Sequence, residues 1–220
     1  MLTKYEERLE TIRGAVVEIM DGLIQANKMV LEALQDCDKE KFENAKLSIK
    51  NVSNKTEEID RSIVTTLALH TPEAKDLREM VAFLKITNEL IRAASNTRGF
   101  INGFQDVCNK VDIKGINEYA IPMQKSTIES LEYTAKMLTI DCVDEVQECF
   151  NKALIAENKT DDLYEMLENN ILKKPSDEAT FSNYHDMLSV LRKSEKVADR
   201  ALSIAALLLY ARNGGQIHQI

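Results

Sequence analysis

Tryptophan is absent from this sequence, and chain-breakers are scarce: 3 prolines and 7 glycines among 220 residues. So few turn-formers argue against a strand-rich fold with many hairpins and favour long helices. A basic excess is also lacking. The net charge of -8 and pI near 5.1 argue against a general nucleic-acid-binding face. Long apolar runs are missing too: the longest, IAALLLYA at 204–211, is too short to span a bilayer, so no membrane insertion is expected. The opening MLTKYEERLE is too charged for a signal peptide, which points to a cytoplasmic protein that reaches a membrane only through a membrane-protein partner. The four cysteines, Cys37, Cys108, Cys142 and Cys149, form no CxxC pair and read as small reduced core residues, with a thiol metal site or redox switch as the alternative. Cys142 and Cys149, seven apart, would share a helix stripe.

What the chain does have is helical period. Leu9, Ile12, Val16, Ile19, Leu23, Ala26, Val30 and Leu34 advance in steps of three and four, the mark of a bundle seam. A turn at QDCDKE follows, with Asp36 or Asp38 suited to cap the next helix. The second seam runs Phe42, Ala45, Ile49, Val52, Thr56, Ile59, Ile63 and Leu67, and Pro72 interrupts it. The third uses Leu77, Val81, Leu84, Asn88, Ile91, Ser95 and Ile101.

The order then recurs. DIKGIN at 112–117 breaks the chain, and Ile116, Ala120, Met123, Thr127, Leu131, Thr134 and Leu138 start a fourth seam. The fifth runs Val143, Val146, Phe150, Leu154, Glu157, Asp161, Tyr164, Glu168 and Ile171. The sixth runs Phe181, Tyr184, Leu188, Leu191, Glu195, Asp199, Leu202, Ala206 and Leu209, and ends at Asn213, Gly214 and Gly215. Pro175 interrupts between them, 103 positions after Pro72. The expected fold is all-α: two three-helix bundles of six long antiparallel helices, related by an internal pseudo-twofold repeat. The first repeat would be residues 1–105, the second 106–214, and 215–220 a C-terminal tail. A single elongated six-helix bundle is the alternative.

Two acid pairs fall on apolar seams. Glu195 and Asp199 lie between Leu191 and Leu202, and Glu157 and Asp161 lie between Leu154 and Tyr164. Four residues apart on a helix, each pair shares one face, and the seam predicts that this face is buried. Antiparallel fifth and sixth helices would bring four carboxylates together. Desolvating even one such charge costs several kcal/mol, about the size of a domain's whole stability. The acids must therefore be protonated, pair with Lys or Arg, or bind cations, unless they sit at the seam edge and reach solvent; clustered oxygens suit hard cations.

Redox chemistry at a carboxylate–histidine site is disfavoured because no ExxH motif occurs. His70, His185 and His218 stand at a helix end, away from the acids, and in the tail. A phosphate-cradling glycine-rich loop and a GxSxG elbow are missing as well. The chain is expected not to be an enzyme. A carboxylate-cluster metal-storage protein or metal-dependent enzyme remains the alternative, with a helical scaffold that needs no metal as a third reading.

Several segments carry a resemblance. TPEAKDLREMVAFLKI at 71–86 resembles the P-x-A-x-D-L-R signature of the PhoU family of bacterial phosphate-uptake regulators. SEKVADRALSIA resembles its E-R-[IV]-[AG]-D-x-A-x-x-I-A segment, with Lys196 in place of Arg. TEEIDRSI at 56–63, DDLYE at 161–165 and the L-x-x-I-R-x-x-V-x-x-x-M pattern at 9–20 also resemble family segments, so the likeness spans nearly the whole chain. The resemblance implies two three-helix bundles, a homodimer, and metal held through paired E(D)xxxD motifs, here Glu157, Asp161, Glu195 and Asp199. Iron or zinc is the first expectation for that metal, then magnesium, manganese or calcium. It also implies negative regulation of phosphate uptake through a phosphate transporter ATPase and/or a sensor histidine kinase, and no catalysis. A paralogue tuned to a sodium–phosphate cotransporter is the nearest variant. The first repeat departs from the motif. Thr56 and Asp60 replace one pair and Ile91 and Ser95 the other, so metal is expected in the second half alone.

Overall fold

Seven helices and one 3-10 turn make up the computed structural model, which describes residues 2–172 and 178–214. The long helices are α1 (Leu2–Ala33), α4 (Ala74–Val107), α5 (Ile113–Met137), α6 (Val143–Leu172) and α7 (Glu178–Asn213). Between α1 and α4 lie α2 (Lys39–Ser48) and α3 (Val52–Leu69), and the 3-10 turn is Cys108–Lys110. Among the described residues there is no strand, and no helix is long and apolar enough to cross a membrane. Counting α2 and α3 as one broken element gives six helices in two bundles of three. Pro175, Gly215 and His218 lie outside the described residues.

The turns use the chemistry their residues supply. The Asp38 carboxylate accepts from the backbone N–H groups of Glu40 and Lys41 at 2.9 and 3.2 Å and so caps α2. Asp112 does the same for α5 through Gly115. Gly214 takes φ +71° at the end of α7 and donates to the Tyr210 carbonyl at 2.9 Å, a left-handed cap that suits glycine.

The first and fourth seams are buried along their whole length. The second is buried except for half-buried Leu67, but its helix is broken at 49–51, which the seam does not reveal. Ile49 and Val52 stay in the core on either side, so the apolar register survives the break. Arg98 of α4 donates to the carbonyl of Ile49 at 3.2 Å and satisfies a group the interruption frees. Pro122 inside α5, where proline removes one hydrogen bond, is another irregularity that the seam hides.

The third seam needs correction. Leu77, Asn88, Ile91 and Ser95 are exposed, Val81 and Leu84 are half-buried, and Ile101 alone is fully buried. The core face is Met80, Phe83, Thr87, Leu90, Ala94, Thr97, Ile101 and Phe104, displaced by one residue over most of its length. One residue rotates a helix by about 100°. The ambiguity arises because α4 is covered on two sides, by α1 and α3 of its own bundle and by α7 of the other. Its apolar residues therefore occupy a wide arc.

The ends of the last two seams also differ. Val143, Glu168 and Phe181 are exposed. A strict 3–4 alternation averages 3.5 residues and drifts about 20° per heptad against a straight helix, enough to carry a stripe off the core over four heptads. Cys142 and Cys149 do not share a core stripe: Cys142 precedes α6 and is exposed, Cys149 is half-buried, and Cys108 is the buried cysteine. Cys37 sits beside Cys108, and burial pushes its thiol up to about 12.

The two bundles meet along α4 and α7, with α1 against α5. Gly103 permits the close approach of α4: a Cβ there would lie 2.5 Å from Val190 Cγ2 of α7. A buried polar hub ties the halves together. Gln124 of α5 donates to the Asn27 carbonyl and Oδ1 at 3.2 and 2.9 Å and accepts from Ser194 Oγ at 2.6 Å. Asn27 in turn donates to Thr97 at 3.3 Å.

Candidate metal centre

Helices α6 and α7 pack against one another, and the acid pairs sit between them. One turn of α6 separates Glu157 from Asp161, and one turn of α7 separates Glu195 from Asp199. The helices thus present two pairs to one another, as the ExxxD spacing implies. Carboxylate oxygens of Glu157, Asp161 and Asp199 all lie within 4.8 Å of one another, the one group of three or more potential ligands that close among the described residues. Glu195 faces Asp161 from the same side but is not part of that tight group.

The expectation that all four acids face inward holds for two. Glu157 and Glu195 are 8% and 3% exposed, Asp199 is half-buried and Asp161 is exposed. On α6 the core position that follows Glu157 is taken by Thr160, fully buried, with its hydroxyl on the Glu157 carbonyl at 2.7 Å. Asp161, one residue further round, is turned to the rim. The site is therefore a cleft with a buried floor of two glutamates and a rim of two aspartates.

Electrostatics follows from that placement. Burial, then repulsion from Asp161 and Asp199, raises the Glu157 carboxyl to about 7. Burial, then Asp199, raises Glu195 to about 7 against the opposing pull of Arg192. Asp199 is also raised, by burial first, while Arg200 pulls it down. Protonation and basic partners thus each relieve part of the charge. Arg192 Nε stands 3.2 Å from Glu195 Oε2 and its guanidinium lies over the Tyr164 ring, 4.9 Å from the centroid. That ion pair is too poorly aligned for a hydrogen bond, and Glu195 Oε2 is left buried with none. A buried oxygen in want of a donor, beside three converging carboxylates, is a donor set that fits a hard cation. Arg192 escaped sequence reasoning, although its place three residues before Glu195 on one helix is a signal.

The corresponding positions of the first repeat are built otherwise. Thr56 is fully buried and its hydroxyl bonds to the carbonyls of Val52 and Ser53. Asp60 accepts a hydrogen bond from Thr87 at 2.8 Å, and Ile91 and Ser95 lie at the surface. One carboxylate, already satisfied, is all this set offers. His70 ends α3 and meets the edge of Tyr5, and His185 is exposed, both apart from the carboxylate group.

Comparison with known proteins places these features in context. Residues 16–98 match the model of a protein family described as the PhoU domain. The chain is 21% identical over 203 residues to "Phosphate-specific transport system accessory protein PhoU homolog 1" of Methanothermobacter thermautotrophicus, across 91% of this chain and 90% of that one. Its fold is similar to the crystal structure of the phosphate transport system regulatory protein PhoU from Streptococcus pneumoniae, with a TM-score of 0.77 at 17% identity over 98% of this chain and all of that one. PhoU from Pseudomonas aeruginosa is similar too, with a TM-score of 0.71 at 16% identity over 97% and 98% of the two chains.

Proposed function

We propose that the chain is a PhoU-like, non-catalytic regulatory adaptor of phosphate uptake and phosphate-starvation signalling, with a metal ion at Glu157, Asp161, Glu195 and Asp199; the match of residues 16–98 to the PhoU domain, the likeness to PhoU proteins and the carboxylate group support this reading. Its partners in this reading are a phosphate transporter ATPase and/or a sensor histidine kinase, and it works as a homodimer. The repeats are residues 1–105 and 106–214, a division that falls in the last turn of α4.

The observation that carries the site is the convergence of three carboxylates within 4.8 Å beside the unbonded Oε2 of Glu195. The metal is iron or zinc first, then magnesium, manganese or calcium, with water completing its shell. A bound cation would neutralise the cleft and hold α6 to α7, so metal occupancy would set the stiffness of the second bundle. That gives an adaptor a conformational variable without chemistry of its own.

Metal that binds the folded chain alone stabilises it by linkage. Chelation should lower the melting temperature of the parent protein. Glu195→Ala with Asp199→Ala should remove most of that response, whereas Asp60→Ala should leave it intact. Elemental analysis that finds no metal after reconstitution with iron, zinc, manganese or magnesium would falsify the site, and metal held through Asp60 would overturn the asymmetry. Turnover of oxygen or peroxide by the iron-loaded protein would replace the adaptor with an enzyme. A partner capture from the native host, with and without phosphate, tests the regulatory reading: transporter or kinase subunits are expected.

A further inference from the structure

The contact between α4 and α7 leaves a recess of about 320 Å³ lined by Arg92, Ser95, Asn96, Lys196 and Arg200. Three cations and two neutral hydrogen-bonding side chains meet there, in a protein whose net charge is -8. One carboxylate braces the guanidiniums: Glu89 Oε2 lies 2.9 Å from Arg200 Nη1, and Glu89 Oε1 lies 3.6 Å from Arg92 Nη1. Arg200 Nη2 also stands 3.7 Å from Asp199 Oδ2. Glu89 and Asp199 therefore offset part of the positive charge, and they also fix where Arg200 sits. A guanidinium carries five N–H donors, more than these contacts use.

We propose that this recess binds a small, soluble, doubly charged tetrahedral oxyanion, with inorganic phosphate as its simplest form. Arg92 and Arg200 offer forked donors matched to phosphoryl oxygens, Lys196 adds a compact charge, and Ser95 and Asn96 donate neutral hydrogen bonds. Ser95 is decisive. An acid at this exposed position would put a negative charge into the lining, and serine leaves a hydroxyl donor instead. The recess straddles the seam between the two bundles, so an occupied site would bridge α4 to α7. The proposal requires no metal: none of the five lining residues belongs to the carboxylate group.

The test is calorimetric titration of the metal-free full-length chain with inorganic phosphate, ionic strength held constant with chloride. One saturable site is expected. Ser95→Asp, and separately Arg92→Gln with Lys196→Gln, should weaken it by about tenfold or more, the scale of losing charge-assisted hydrogen bonds. Arg92 and Lys196 are exposed, so these variants should keep the parent's helical signal and melting behaviour. Lys159→Gln, an exposed change on α6, should bind like the parent. A soluble phosphomonoester that competes at the same site would extend the ligand class and support the proposal. No saturable phosphate response, or Ser95→Asp binding like the parent, overturns it. Binding only to vesicles that carry phosphatidic acid overturns it as well.

Discussion

Burial of Glu157 and Glu195 makes their protons part of the fold. Their carboxyls have an ordinary value of 4.5 and are raised to about 7 in the folded chain. Between those values the folded protein holds protons that the unfolded chain has released, so this contribution to stability is full below about 4.5 and is lost as pH rises to about 7. Metal has the opposite dependence, since cations compete with those protons and bind more tightly as pH rises. In a chelator, the stability advantage of the parent over a Glu157→Gln, Glu195→Gln variant should shrink between pH 5 and 7.5. Equilibrium urea unfolding at both values measures it, and an advantage that does not change with pH would contradict the assignment. The double substitution keeps volume and hydrogen-bonding capacity while removing the titration, so it isolates the protons from the packing.

At the scale of the element, α4 and α7 are the helices with most to satisfy. From Ala201 to Leu208 every residue of α7 except Ser203 is buried, because α4, α5 and α6 all pack on this helix. Gly103 lets α4 approach at Val190, and a methyl group there must displace a stiff β-branched side chain. Gly103→Ala should destabilise by about 1–3 kcal/mol despite its better helix propensity. Val190→Ala alone should also cost stability, and the double variant should recover part of the loss, giving a favourable coupling energy in a double-mutant cycle. Additivity of the two changes would mean that the helices do not meet at this point. The broken second helix gives the opposite lesson. Its apolar register is continuous from Phe42 to Ile63, yet its backbone is interrupted, because Arg98 makes an unpaired carbonyl tolerable there.

For the whole molecule the consequential fact is how the repeats are joined. The longest interhelical contact runs between bundles, α4 on α7, and the Asn27–Gln124–Ser194 hub lies buried across the same junction. A small interface would let the repeats unfold separately, but this one is extensive and encloses a buried hydrogen-bonded hub. Thermal unfolding should be a single cooperative transition, with calorimetric and van't Hoff enthalpies in agreement. Two resolved transitions in scanning calorimetry would show that the halves are independent. The acidic net charge acts at this scale as well. It leaves the basic recess at Arg92, Lys196 and Arg200 as a local exception rather than part of a basic face.

Local pattern by itself determined the helical seams, the caps at Asp38 and at the terminal glycine, and the identity of the acids that converge. Steps of three and four, Asp38 before a helix, and ExxxD on two apolar stripes are properties of short segments, governed by helical period and by hydrogen bonds to nearby backbone. Tertiary structure decided which neighbours cover each face. The stripe of α4 is turned by one residue because two bundles bury it, and Asp161 reaches the rim because Thr160 takes the core position beside Glu157. Arg192 over Tyr164, the break at 49–51 held by Arg98, and the Arg92–Arg200 recess all join segments far apart in the chain. Periodicity fixes which residues share a face of their own helix. Only packing fixes what that face meets, since the same stripe can be buried against one helix, against two, or left at an edge.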